Sequence, residues 1–307
     1  MGITSIEWTD RTWNPTRGCS RVSEGCRNCY AERTATRFSN PGGPFEDFIR
    51  ADKPQWTGKV ELIEKHLEDP LHWRKPQRVF VNSMSDLFHE ALPYEAKARV
   101  LSVIREATWH THQVLTKRPF NMLRTMTRFY REWIDNIGPN PLPHLWLGVS
   151  VEDQATADER IPLLLKTPAA VRFVSYEPAL GPVDFSRYLP GRVNEHWTGH
   201  ADESPRSEWG LDWIIVGGES GPEARPFDIA WARNTVAQCK AAGVACFVKQ
   251  LGPRPFVCCM RDQMDWVKLY EYGRHTGRYG PRFGLKDRKG GNWDEWPKDL
   301  RVREFPA

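Results

Sequence analysis

The chain has 307 residues, of which 40% are hydrophobic and 27% charged, with 14 Trp and a formal net charge of +4. Such a composition describes a soluble globular protein rich in indole, long enough for one large α/β barrel or two smaller domains. No apolar run approaches the roughly 20 residues a helix needs to cross a bilayer, and Met1 to Trp8 does not read as a signal peptide, so the sequence predicts a cytoplasmic protein with no membrane partner.

Charge and cysteine narrow this further. Residues 1–250 carry 31 Lys/Arg against 31 Asp/Glu, and residues 251–307 carry 12 against 8, so the whole excess lies in the last 57 residues. A basic end attracts polyanions, and it equally suits a solvated surface. Seven cysteines, an odd number, fall as Cys19, Cys26 and Cys29 and then as Cys239, Cys246, Cys258 and Cys259. They do not resemble a disulfide framework; free thiols for metal ligation suit a reducing compartment.

In chain order, a short strand is predicted near 12–15, followed by a cysteine loop over 17–30. A strand at 79–82 leads through Ser83-Met84-Ser85-Asp86 to a helix opened by Pro93 and running over 94–101. Next come a strand at 113–116 with a helix over about 120–133, and a strand at 145–150 with a helix over about 154–165. A strand at 171–175 and then one at 213–216 follow, the latter entering Gly217-Gly218-Glu219-Ser220-Gly221 and a helix over about 229–242. The last strand is at 246–250. These runs are continuously apolar, as in parallel strands buried on both faces. Repeated strand–helix units predict an α/β fold, a partial or complete (β/α) TIM-like barrel over residues 1–255. A polar loop is predicted to interrupt it at 191–210, where His196 and His200 read as solvated. Residues 256–307, with Gly among Arg, Lys and aromatics, form a C-terminal lid or extension suited either to stacking on bases or to capping the barrel.

Active sites of parallel barrels form where strands end. Here those positions carry Ser83, Ser85 and Asp86; Lys117 and Arg118; Ser150 and Glu152; Glu177; Glu219 and Ser220; Lys249 and Gln250. Six successive polar strand ends predict a polar pocket. The vacancy this pocket would face is set by Cys19, Cys26 and Cys29, spaced C-x6-C-x2-C. The nearest His is His66, so three thiolates would leave one coordination position open, as in catalytic metal centres. Spacing alone does not choose between iron–sulfur and zinc; Cys258 or Cys259 is a possible distant fourth ligand.

A three-cysteine loop at the start of a partial barrel resembles the radical SAM superfamily. More closely, the segments Ser5-Ile6-Glu7-Trp8-Thr9-Asp10, Thr12-Trp13-Asn14-Pro15, Gly25-Cys26-Arg27-Asn28-Cys29-Tyr30-Ala31-Glu32, Gly217-Gly218-Glu219-Ser220-Gly221 and Val248-Lys249-Gln250 resemble a family of phage-associated three-Cys-motif proteins. That resemblance implies a 4Fe-4S cluster on Cys19, Cys26 and Cys29, with S-adenosylmethionine on the open iron and its reductive cleavage to a 5′-deoxyadenosyl radical. It implies Ser83, Ser85 and Asp86 for the methionine amino group, Ser150 and Glu152 for the ribose, and Tyr30 for the adenine. Lys117, Arg118, Glu177, Glu219 and Lys249 would face the substrate, expected to be a nucleic acid or nucleotide that is modified or repaired. A flavodoxin- or ferredoxin-like electron donor would be the partner.

The chain departs from the superfamily pattern at three points. The first cysteine gap is six residues rather than three, Asn28 replaces the aromatic before the third cysteine, and Gly217-Gly218-Glu219 follows a later strand than the usual Gly-Gly-Glu. The competing expectation is a zinc-stabilised, non-catalytic nucleic-acid-binding protein.

Overall fold

The computed structural model describes residues 4–133, 141–190, 210–257 and 285–306. Nearly all of the predicted 191–210 loop, including His196 and His200, lies outside the described residues. So do Cys258, Cys259 and the first half of the predicted C-terminal extension.

The elements in order are β1 (Arg11–Trp13), β2 (Thr16–Arg17), α1 (Tyr30–Arg37), β3 (Glu61–Leu62), β4 (Arg78–Val81), α2 (Tyr94–Glu106), β5 (Thr111–Thr116), α3 (Pro119–Trp133), β6 (Leu145–Ser150), α4 (Gln154–Leu165), β7 (Val171–Tyr176), β8 (Trp213–Gly217), β9 (Phe227–Asp228), α5 (Ile229–Ala242), β10 (Ala245–Gln250) and β11 (Pro255–Phe256). The main sheet has seven strands in the order β1-β4-β5-β6-β7-β8-β10. It runs parallel at every pairing from β1 to β6 and between β8 and β10. A mixed α/β chain with helices between successive parallel strands matches part of a (β/α) barrel.

Two compact units divide the chain. The first comprises Met1–Ser150 with Glu159–Val174, and the second Val151–Asp158 with Ser175–Ala307. In the first unit, register sets Trp13 beside Val81, Val81 beside Val114 and Val114 beside Leu147, a row of buried side chains across four strands. These strands are apolar throughout because both of their faces are covered. Antiparallel β2 and β3 form a small side sheet beside the start of the cysteine loop.

In the second unit, every residue of β8 is buried, and β10 pairs with it from Trp213↔Ala245 onward. Helix α5 between them has clear end signals. Asp228 accepts the Ala230 amide at its N-cap, and Gly243 closes it in the left-handed conformation at φ 68°. The C-terminal residues return to β10: Val248 donates its amide to Val302 O, Glu304 donates its amide to Cys246 O, and Trp213 Nε1 donates to Glu304 O.

Helix α1 and the β2–β3 pair escape the sequence pattern. Only Ala31 and Ala35 among the apolar residues of α1 are buried, so the helix carries almost no hydrophobic stripe. Strand β5 begins two residues earlier than its apolar run, because Thr111 and His112 extend the ladder with polar side chains.

A candidate metal centre on the three-cysteine loop

The loop after β1 is sewn to the end of β4 before its first cysteine. Asn14 Oδ1 accepts from Ser83 Oγ and from the Met84 amide, both at 3.1 Å. Asn82, at φ 64°, accepts the Thr16 amide on its side-chain oxygen. Gly18 then forms an isolated parallel bridge with Ser85, whose hydroxyl donates to Gly18 O at 2.7 Å. Here glycine is required: φ is 87°, and a Cβ would lie 2.0 Å from Lys59 O and 2.6 Å from the Phe48 ring.

Immediately past that anchor, Arg118 reaches from the start of α3 into the loop. Its Nε donates to Glu90 (2.7 Å), Nη1 to Asp86 (3.1 Å) and to Cys19 Sγ (3.9 Å), and Nη2 to Ser20 O (3.1 Å) and Ser20 Oγ (2.7 Å). Burial alone would lower the guanidinium's pKa. The Asp86 and Glu90 carboxylates and Cys19 outweigh that and keep it above the ordinary arginine value. Ser20 Oγ also lies 2.8 Å from His89 Nε2, while His89 Nδ1 accepts the Ala91 amide. A neutral His89 therefore carries its proton on Nε2 and donates to Ser20. Burial, then Arg118, depresses the His89 pKa, which favours that neutral form.

On the far side of the loop, Arg21 makes a two-point contact with Glu32, which is buried on α1 and also accepts the Trp56 amide. Cys29 stands at the N-cap of α1. Cys19 and Cys29 pack with Phe45 and Met84 against an apolar cluster of Ala31, Ala35, Phe48, Ile49 and Trp56. In this setting the Cys19 thiol is pushed up to about 12, by burial first and the Asp86 carboxylate second, with Arg118 pulling against them. Cys29 is raised chiefly by burial, against which the first-turn amides of α1 and the charge of Lys117 act. Thiolates at these positions therefore call for additional positive charge, which a bound metal centre supplies. The five described cysteines form no disulfide. Soft sulfur donors on an apolar floor, with an N–H directed at one of them, fit an iron–sulfur centre. Among the described residues, no three His, Cys, Asp or Glu side chains are close enough together to hold a single ion.

Apart from the cysteines and Tyr30, which opens α1, the sequence-predicted site residues lie at or just beyond strand ends, and the structure shows what most of them touch. Ser83 and Ser85 direct their hydroxyl protons inward to Asn14 and Gly18, which leaves oxygen lone pairs as acceptors. Asp86 receives Thr116 Oγ1, the amides of Phe88 and Lys117, and Arg118. Tyr30 is 47% exposed and donates its hydroxyl to Ser83 O at 2.6 Å. The cysteine loop also borders a surface hollow of about 550 Å3 lined by Arg21, Val22, Ser23, Glu24 and Arg27. Another hollow, of about 510 Å3, lies over α2 and α3 and draws none of its lining from the thiols or from Arg118. Ser150 ends β6, buried, with its carbonyl accepting from Arg160.

Residues Glu152, Glu177, Glu219 and Lys249 belong to the second unit. Glu152 is buried. Lys249 Nζ donates to Glu177 at 3.1 Å, and both side chains are mostly buried. Gly217 makes room for this pair, since a Cβ there would lie 2.7 Å from Glu177 Oε1. Glu219 is engaged by Arg225 through Nε, Nη2 and the backbone amide.

Sequence reasoning passed over Ser20, His89 and Glu90 as site residues, as well as the Arg21–Glu32 pair. Opposite charges flanking the triplet were a usable signal for the pair. Nothing local in sequence marks the other three, because their partners are distant: Ser20 meets Arg118 98 positions away and His89 69 away, and Glu90 meets Arg118 28 away.

Comparison with curated proteins and with solved structures returns no match. A family described as "Protein of unknown function (DUF5131)" matches residues 3–280. With nine-tenths of its length covered by that match, including the three-cysteine loop and the strand ends around it, the chain belongs to the DUF5131 family.

Proposed function

We propose that the chain is a radical S-adenosylmethionine enzyme, with a 4Fe-4S cluster held by Cys19, Cys26 and Cys29, that modifies or repairs a nucleic acid or nucleotide. The observation that carries this reading is the three-thiol loop itself. Cys19 and Cys29 are half-buried against an apolar floor, and the loop is pinned to the segment after β4 and to the residue before α3 through Gly18, Ser20 and Arg118. Three ligands leave one coordination position for a cosubstrate. Thiolate donors suit zinc and iron–sulfur alike; the resemblance of the loop to radical SAM proteins is what selects the cluster.

With S-adenosylmethionine bound, such a centre supplies one electron to the sulfonium and hence a hydrogen-abstracting radical. The chain's own residues bind and orient. Ser83 and Ser85 would present acceptor lone pairs to the N–H groups of the methionine amino group, Tyr30 offers an exposed ring, and Ser150 with Glu152 is assigned to the ribose. In the second unit the Glu177–Lys249 pair is assigned to substrate contact, with Lys117 as a further cation. A flavodoxin- or ferredoxin-like protein would deliver the electron, and the basic C-terminal segment motivates a polyanionic substrate.

Anaerobic reconstitution with iron and sulfide tests the reading. The expected result is about four irons per chain, a broad band near roughly 400 nm that dithionite bleaches, and 5′-deoxyadenosine after reduction with S-adenosylmethionine. Cys26→Ala should remove all three signals. Stoichiometric zinc with no cleavage of S-adenosylmethionine would overturn it in favour of a zinc-stabilised nucleic-acid-binding protein.

A further inference from the structure

Arg118 sits at a strand end like the other polar residues, yet its surroundings set it apart. It is 7% exposed, and its five N–H donors are all used within the protein, on Glu90, Asp86, Cys19 and Ser20. Two of them go to Ser20, the residue after the first cysteine, and one goes to the Cys19 sulfur. A guanidinium spent in this way has nothing left to offer a substrate. Its planar fork instead fixes the backbone and the sulfur at one end of the loop.

We infer that Arg118 is a positioning residue for the metal centre, clamping the Cys19–Ser20 end of the loop and tuning the centre's reduction potential through its Nη1–H on Cys19 Sγ. The inference rests on the proposed cluster for its redox half. Its clamping half stands on the metal-free fold. Hydrogen bonds to ligand sulfur stabilise the more electron-rich, reduced state and so raise the potential. Lysine keeps the charge at this place but lacks the fork, and cannot reach Ser20 O, Ser20 Oγ and Cys19 Sγ together. The secondary partners fit the same role: Glu90 and Asp86 hold the guanidinium from behind, and His89 buttresses Ser20 Oγ.

Two measurements on the full-length chain decide it. In metal-free protein, hydrogen exchange read by mass spectrometry should be faster by tenfold or more across residues 19–29 in Arg118→Met and Arg118→Lys. Exchange in β6 should be unchanged, showing that the fold is intact. In reconstituted protein matched for iron content, Arg118→Lys should lower the midpoint potential by a tenfold change in the reduction equilibrium, about 59 mV for one electron. Ser20→Ala, which leaves the Cys19 contact in place, should shift it far less. Unchanged exchange over 19–29 in both variants overturns the clamp. An equal potential in fully loaded wild type and Arg118→Lys overturns the tuning. If the wild type takes up no iron, the proposed function fails, and the exchange measurement still decides the clamp.

Discussion

Gly18 and Gly243 both adopt left-handed backbone, at φ 87° and 68°, yet differ in what surrounds them. A Cβ on Gly243 meets nothing within 4 Å, so Gly243→Ala should cost only the backbone strain, about 1–2 kcal/mol. On Gly18 the same atom would run into the Lys59 carbonyl and the Phe48 ring. Overpacking adds to the strain there, and Gly18→Ala should lose about 2–4 kcal/mol in urea unfolding and reduce iron uptake as well. His112 provides a residue-scale test of a different kind. It is fully buried, neither ring nitrogen has a partner among the described residues, and burial, then His144 and His110, lower its pKa to about 3. Unfolded histidine titrates near ~6.5, so the unfolded chain takes up a proton that the folded one refuses. Stability is then complete above roughly pH 7 and falls as the pH drops from ~6.5 toward 3, with a slope of about 1.4 kcal/mol per pH unit from this group. His112→Phe should flatten that part of the profile in urea titrations run between pH 7 and 4.5.

At the level of elements, the strands were the legible part. Val79, Phe80 and Val81, or Trp213 through Val216, form unbroken apolar runs that only a doubly covered strand requires, and β6 and α5 begin and end where their patterns do. Helix α1 was not legible, since its buried face consists of two alanines and of Glu32, which accepts from Arg21 and the Trp56 amide. Replacing Glu32 with Gln should therefore loosen the α1 end of the cysteine loop. Loss of a buried, charge-assisted contact predicts a fall of about 2–4 kcal/mol in stability, read by urea unfolding, with a smaller loss for the double variant that also removes Arg21. The site was half legible. Which residues stand at strand ends follows from pattern alone, but whether a side chain turns outward or inward depends on distant partners. Arg118 reads as substrate-facing from its place after a strand, whereas in the structure its donors go to Glu90, Asp86, Cys19 and Ser20.

Over the whole molecule, net charge and local packing give different views of the C-terminal residues. Residues 251–307 hold all of the excess positive charge, but the portion from Trp293 to Phe305 is built into the second unit. Arg303 lies over the rings of Phe247, Trp293 and Trp296 at 5.3–5.6 Å, Phe305 packs on Trp213 and Phe247, and Trp296 is buried. Deleting residues 293–307 should uncover β10 and cost on the order of 2 kcal/mol for each large side chain withdrawn. Binding of a hydrophobic dye and a lowered urea midpoint would reveal it, whereas an unchanged midpoint would show the segment to be dispensable. Arg118 also has a consequence in time. Ser20 leaves the ribosome 98 positions ahead of the arginine that holds it, a lag of roughly 5–20 s at ordinary rates of synthesis. For most of that interval the three thiols have been made but Arg118 has not, so an oxidant acting during translation would meet them before the Arg118–Ser20 contacts form, and under the proposed function iron supplied later would meet a loop already pinned at its Cys19 end.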